Sequence, residues 1–316
     1  MSVTTGLVAP EATAEAVRRG LEGGRVDVRG ALFRLALLFT IFTSLAVLLV
    51  LLVDVFVSAL PVFRDRGVSF LTSITSSLPA RAGISQGLFG SLVLMVFVAL
   101  FAFPVGIGAG IYMEEYARDT KVNRFINANI RNLAGVPAIV YGILGLAVFV
   151  ELLGGLTGPE VQGKSLIAGG LTIALMVLPV IIITTAEALR AVPRSIREAG
   201  YGVGATRWEV IRGHVLPYAA PGILTGTVLS MARALGETAP LIMVGAVTGF
   251  FVTSGTAIEQ LQSRFTSLPT QIFAWVRKPQ DEFQALAAAT IVVLVGLIFL
   301  VNLVAILLRN RYERKW

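Results

Sequence analysis

The chain has 316 residues, 55% of them hydrophobic, and its 32 glycines lift the apolar share to about 65%, against roughly 45 to 50% in a soluble protein. Charged residues are 14%, where about 25% is usual, and the mean hydropathy is +0.81, so there is too little polar surface to coat several water-facing domains. With no cysteine and one histidine, His214, disulfide scaffolds, thiolate metal sites and imidazole cages are excluded, and no cofactor is expected. The bilayer is the solvent for most of this chain.

A hydrocarbon core of about 30 Å needs roughly 20 apolar residues in a helix. Six uncharged windows qualify in chain order: Leu35–Val53, one span within Ala82–Met113, Asn132–Val150, Ser165–Ala186, a window over Pro217–Val247 broken by two charges, and Phe283–Leu308. The alternating ten-residue pattern of a membrane barrel is absent. The expected fold is therefore all-α, a polytopic integral membrane protein with six transmembrane helices. Residues 1–34 read as an N-terminal tail without the apolar core of a cleavable signal. Residues 35–309 form the membrane domain and residues 310–316 a C-terminal tail.

Lys and Arg concentrate in cytoplasmic loops. With the N-terminus inside, the inner segments 1–34, 114–131, 187–212 and 309–316 hold 18 of the 26 basic residues and the outer loops hold seven. Both termini are thus expected in the cytoplasm. The remaining basic residue, Arg233, lies within a span.

Gly158–Ser165 (GPEVQGKS) matches the phosphate-cradling pattern G-x-x-x-x-G-K-[ST] letter for letter. A nucleotide loop follows a buried strand, however, and here a membrane-length helix precedes it. Pro159 removes an N–H from the cradle and Glu160 would repel phosphate, so a polar turn is expected.

The longest inner loop, residues 187–217, is structured. Pro193 suits a helix start, with Ile196 and Ala199 on one face beside Arg194, Arg197 and Glu198. Gly200, Gly202 and Gly204 end that helix and permit a sharp turn. Thr206 and Glu209 form a capping box that starts the next helix, which runs into the fifth span past Pro217. A short helix, an elbow and an anchored helix suit a peg presented to a cytoplasmic partner, or an amphipathic helix lying at the interface.

A second constellation lies in M-A-R-A-L-G-E-T-A-P-L, where Arg233 and Glu237 are four residues apart. Arg233 stands about 24 Å along the helix from Pro217. An arginine at mid-bilayer costs roughly 2.5 to 3.5 kcal/mol even on the lenient insertion scale, so it faces a partner or a wet path. Pro240 frees the carbonyl of Gly236, which predicts a kink beside Glu237. Arg233 is either a bidentate oxyanion donor held by Glu237, or half of a structural ion pair.

The pattern E-A-G-x-x-x-G ending in L-P (Glu198, Ala199, Gly200, Gly204, Leu216, Pro217) resembles the EAA loop of ABC importer permeases, with Gly200 where a second Ala is usual and His214 where an Ile is common. The run from Ile183 to Pro240, with Asn132–Gly142 (NLAGVPAIVYG), Leu268–Ala287 and the tail LRNRYERKW, resembles the phosphate permeases of the Pst system, PstA type. That resemblance spans about residues 80–316 and implies the type I ABC importer permease fold, with a permease core over 82–308. It implies a non-catalytic subunit in a bacterial or archaeal cytoplasmic membrane, where it pairs with a PstC-like permease, two PstB-like ATPase subunits and a PstS-like phosphate-binding protein. Nucleic acid is not an expected partner; membrane lipid is. Arg233 and Glu237, with Thr238 and Tyr141, would line the substrate path, and Arg197, Glu198, Ala199, Gly200, Gly204 and Ala205 would couple to the ATPase. Another oxyanion permease (molybdate, sulfate or phosphonate) and an autonomous anion channel are the alternatives.

Gly106 and Gly110, with Pro104, Pro137 and Pro179, point to helix packing or hinges. Phe273 and Trp275 beside Arg277 and Lys278 look like an outer interfacial belt or a docking surface for a binding protein.

Overall fold

The computed structural model describes residue 15, residues 28–246 and residues 256–312; among these no strand occurs. Most of the tail over 1–34 and the last residues of the chain lie outside the described residues. The chain divides into two compact units, Met1–Asp54 and Val55–Trp316. Helix α1 (Val28–Arg66) runs across that division. Within the first unit its Leu, Val and Phe side chains are exposed all round, as suits a shaft in lipid.

The second unit holds α2 (Ser85–Tyr116), α3 (Lys121–Ala134), α4 (Ala138–Leu152), α5 (Leu166–Arg190), α6 (Arg194–Gly202), α7 (Arg207–Gly236), α8 (Ala239–Met243), α9 (Leu268–Val276) and α10 (Asp281–Tyr312). Among the described residues five helices, α1, α2, α5, α7 and α10, are long and apolar enough to cross a membrane, and the bent pair α3 and α4 would make a sixth. The six windows thus fall on four long helices, on α7 followed by α8, and on the bent pair α3 and α4.

Helix α5 is the hub, with 67% of its apolar window buried against α2, α3, α4 and α7. Close approach depends on small residues, since helices in lipid associate through packing rather than hydrophobic expulsion. A Cβ on Gly106 would stand 2.6 Å from Ile181, and one on Gly110 would stand 2.7 Å from Thr185, so the expected small-residue pair is the α2–α5 seam. Gly170 admits Phe97 and Gly226 admits Thr184 in the same way. A separate cluster joins the C-terminal part of α1 (Ala59, Val62) to Phe70, Trp275, Phe283 and Leu286.

Three expectations need correction. The third window is not one straight helix from Asn132: α3 and α4 meet at 104°. Pro137 is the N-cap of α4 with ψ 137, and a residue preceding proline is pushed out of the helical region, so the chain turns at Gly135–Pro137. The fifth window breaks outright after Gly236 rather than kinking. Trp275 is no interfacial belt residue: it is fully buried, its ring 6.1 Å from that of Phe283. Phe273 stays exposed, with Arg277 5.2 Å over its ring.

Gly158–Ser165 is a polar turn, as expected. A short helix, Gly154–Thr157, precedes it, Gln162 and Gly163 take positive φ, and Ser165 caps α5 by accepting from the Ala168 N–H at 3.2 Å.

The seam makes a paired expectation. Gly110→Leu overpacks it and costs about 1 to 3 kcal/mol, whereas Gly108→Leu, where nothing lies within 4 Å, costs nothing measurable. Thermal unfolding midpoints of the two purified variants compare them directly.

Candidate functional site

Two places concentrate polar chemistry. The first is the break between α7 and α8. Pro240, the second residue of α8, has no N–H to continue the ladder, so the chain leaves helical geometry at Glu237 (φ −79°, ψ 125°) and resumes at Ala239. Arg233, in the last turn of α7, sits where a cation complements the helix dipole. Its Nε donates to Glu237 Oε1 at 3.4 Å, a long contact, and the two side chains remain 40% and 21% exposed.

Tyr141 reaches this neighbourhood because α4 packs directly on α8, a Cβ on Gly142 falling 2.7 Å from the Pro240 Cα. Its ring lies within electrostatic reach of Arg233. Its hydroxyl, however, donates to the Leu133 carbonyl at 2.8 Å across the α3–α4 bend, so the phenol holds the bend and does not offer its proton to a path. Thr238 is half-buried, and its carbonyl accepts the Ile242 N–H at 3.1 Å.

The second place is the peg. Pro193 is the N-cap of α6, one position before the first turn. The α6 end is a Schellman turn: Gly204 takes φ +83°, its N–H donates to Tyr201 O at 3.0 Å, and the Ala205 N–H donates to Gly200 O at 3.2 Å. Of the three glycines only Gly204 needs the left-handed region. Gly200 is needed for space, because a Cβ there would stand 2.7 Å from a Val210 methyl. A second alanine at this position would push the elbow open. The capping box forms as expected, Glu209 Oε2 accepting from the Thr206 N–H at 2.7 Å. Beneath the elbow lies a cluster of Leu189, Val192, Val210, Val215, Ala219 and Ile223, with Ile196 and Ala205 against it. Glu198, Ala199, Tyr201, Val203 and Trp208 face outward, Val203 at 85% exposure.

Residues 106–314 match the family described as "binding-protein-dependent transport system inner membrane component". The chain belongs to this family. It is 36% identical over 179 residues to a probable ABC transporter permease protein, YqgI, of Bacillus subtilis, covering 57% of this chain and 58% of that one. It is 34% identical over 229 residues to the phosphate transport system permease protein PstA of Yersinia pestis, covering 72% of each chain. The chain spans 58% and 62% of the lengths of YqgI and YqgH, two Bacillus subtilis relatives. Among solved structures, a chain of a bacterial alginate ABC transporter superposes with a TM-score of 0.64 at 16% identity, covering 91% of this chain and 96% of that one. A chain of the MetNI methionine ABC transporter superposes with a TM-score of 0.58 at 18% identity, covering 73% and 96%. The expected type I ABC importer permease fold is thereby found in this inner membrane component.

The peg of this inner membrane component is tied to α2 by Glu114, Glu115 and Tyr116, which carry no recognisable motif in the sequence. The C-terminal end of α2 closes in a wide turn, Tyr112–Tyr116, whose last three residues fan out to three different arginines. Glu114 takes Arg190 of α5 at 2.7 Å, Glu115 takes Arg197 of α6 at 2.6 Å, and the Tyr116 ring lies 5.0 Å under the Arg207 guanidinium of α7. Arg197 also donates to Val192 O at 2.8 Å and Leu189 O at 2.9 Å, satisfying carbonyls in the last turn of α5 and just after it. Arg197 therefore faces inward as a strut, not outward towards a partner. The available signal was two adjacent carboxylates at a span end where basic residues are the norm.

The Glu115–Arg197 pair is mostly buried, the side chains being 5% and 18% exposed, so removing one partner strands the other charge. Glu115→Ala or Arg197→Ala alone is expected to cost about 3 kcal/mol. A double-mutant cycle on unfolding is expected to give a coupling energy above about 1 kcal/mol. Additive losses would contradict the strut.

Proposed function

We propose that this inner membrane component is the PstA-like half of a heterodimeric phosphate importer. The observation that carries the reading is Arg233. It ends a broken helix, keeps 40% of its side chain open and spends only one long contact on Glu237. A guanidinium has five N–H donors in a fork that matches phosphate oxygens, so most of this fork is free for an anion. Glu237 competes for the same donors and returns when the anion leaves, which keeps binding weak enough for passage. PstA of Yersinia pestis and of Mycobacterium leprae, at 34% and 35% identity, support phosphate as the substrate.

The peg supplies the other half of the mechanism. Both termini lie in the cytoplasm, the permease core covers about residues 82–308, and the coupling loop is residues 187–217. ATP is hydrolysed on two PstB-like subunits, each binding one permease; the outward residues Glu198, Ala199, Tyr201, Val203 and Trp208 seat α6 in its ATPase. Gly204, Ala205 and Gly200 hold the elbow angle. ATPase closure pushes on α6, and the Glu114–Tyr116 clasp passes that movement to α2, α5 and α7, rocking the helices around a pore shared with a PstC-like permease. A PstS-like binding protein delivers phosphate to the outer loops.

Labelled phosphate uptake by Arg233→Gln and Glu237→Gln variants tests the site, in complexes shown to retain their ATPase subunits. Losing a charged hydrogen-bond donor is worth about 1.5 to 3 kcal/mol, so Arg233→Gln is expected to lower uptake about tenfold or more. Normal uptake in both variants would remove the site. Competition by molybdate, sulfate or phosphonate at equal concentration would reassign the substrate.

Replacing Gly204 with Val, which forces a branched side chain to φ +83°, is expected to cost about 1 to 2 kcal/mol and to weaken ATPase copurification. Gly202→Ala, with nothing within 4 Å, leaves it intact. Equal copurification in both would separate the elbow from coupling.

A further inference from the structure

Helix α3 has no role in either site, yet its construction is unusual. It is capped by Thr120, whose hydroxyl accepts from the Asn123 N–H at 3.2 Å. None of its residues is fully buried. Asn123, Asn127, Ile130 and Ala134 are the half-buried face, and the contacts of this helix run to α5. Val122, Phe125, Ile126 and Leu133 form an adjacent apolar stripe that this chain leaves open, Phe125 at 70% exposure, and the one polar residue within it, Asn129, donates back to the Phe125 carbonyl at 2.8 Å. Arg124 and Arg131 lie on the opposite side, both exposed, with Lys121 at the first turn.

The angle fixes how such a helix stands in a membrane. A span tilts about 20° from the bilayer normal on average, and α3 meets α4 at 104°, so α3 lies within roughly 35° of the membrane plane. The face with Asn123 and Asn127 meets the bundle, which turns the apolar stripe to the hydrocarbon and the arginines to water. The segment from Arg118 to Arg131 carries four basic residues against one acid, Asp119, which contacts Arg124 at 3.4 Å. Low net hydrophobicity, one apolar stripe and a basic opposite face are the marks of a helix that lies in the interface of an anionic leaflet.

We propose that α3 is an in-plane helix that seats its apolar stripe in the inner leaflet and holds anionic lipid headgroups with Lys121, Arg124 and Arg131. Through the Tyr141–Leu133 hydrogen bond it ties the leaflet surface to the foot of α4, beside the α7–α8 break. The proposal rests on the cytoplasmic placement of both termini given above.

The absence of cysteine makes a direct test simple. Single Phe125→Cys and Arg131→Cys variants of the full chain, coexpressed with the other transporter subunits, are labelled with an environment-sensitive fluorophore. They are reconstituted in phosphatidylcholine with or without phosphatidylglycerol, using brominated acyl chains as quencher. The label at 125 is expected to lose most of its emission to brominated chains, more so with phosphatidylglycerol, and the label at 131 to lose little. A Lys121→Gln/Arg131→Gln pair placed on Phe125→Cys is expected to abolish the gain from phosphatidylglycerol.

No quenching at 125, or protection there that appears only when the second permease subunit is present, overturns the proposal; the latter would assign the stripe to that subunit. A membrane-impermeant thiol reagent distinguishes failure of the orientation. Reaction of Arg131→Cys from the outer face of intact cells would invert the topology, whatever the lipid result.

Discussion

The carboxylate of Glu115 is the constraint on which the packing around α6 depends. A charge at 5% side-chain exposure is tolerated only when a cation and hydrogen bonds replace its water. Arg197 provides both, and it spends its remaining donors on the Leu189 and Val192 carbonyls. One guanidinium thus links the end of α2, the end of α5 and the middle of α6. With Glu114 on Arg190 and Tyr116 under Arg207, three successive residues grip three successive helices. Force applied to α6 cannot be absorbed by sliding against α5 without stranding a buried charge.

The pair at the other end of α7 has the opposite character. Arg233 and Glu237 are far more exposed and their contact is long, so breaking it costs little. The same two residue types therefore serve two purposes according to burial. A dry, short pair with extra carbonyl acceptors locks helices together, whereas a wetter, longer pair at a backbone break exchanges its partners at little cost. The backbone supports this division: the peg is closed by a capping box and a Schellman turn, while α7 ends at Gly236 with Glu237 already extended.

Most of the architecture was legible because lipid imposes it. Twenty apolar residues between charges announce a span whatever its neighbours, and Gly106 and Gly110 announced a seam that α5 fills. Thr206 and Glu209 announced a helix start by local chemistry alone. What was hidden depends on distant partners. Glu115 and Arg197 are 82 residues apart, and nothing local distinguishes a carboxylate that will be buried from one that will snorkel. Trp275 illustrates the same limit, since an aromatic beside basic residues suits an interface equally well until Phe283 packs on it. The bend at Pro137 was partly legible: apolar windows ran through it, but Asn, Lys and Arg at helical spacing before it belong to a surface helix.

Gly200 brings these threads together. Its departure from alanine reads in isolation as a weakness, because glycine near a helix end costs backbone entropy. In place, the missing methyl lets Val210 descend onto α6, and the Gly200 carbonyl takes the Ala205 N–H that closes the elbow. The entropy lost locally is offset by a tighter joint between α6 and α7. A substitution that improves α6 as an isolated helix would thus loosen its packing on α7.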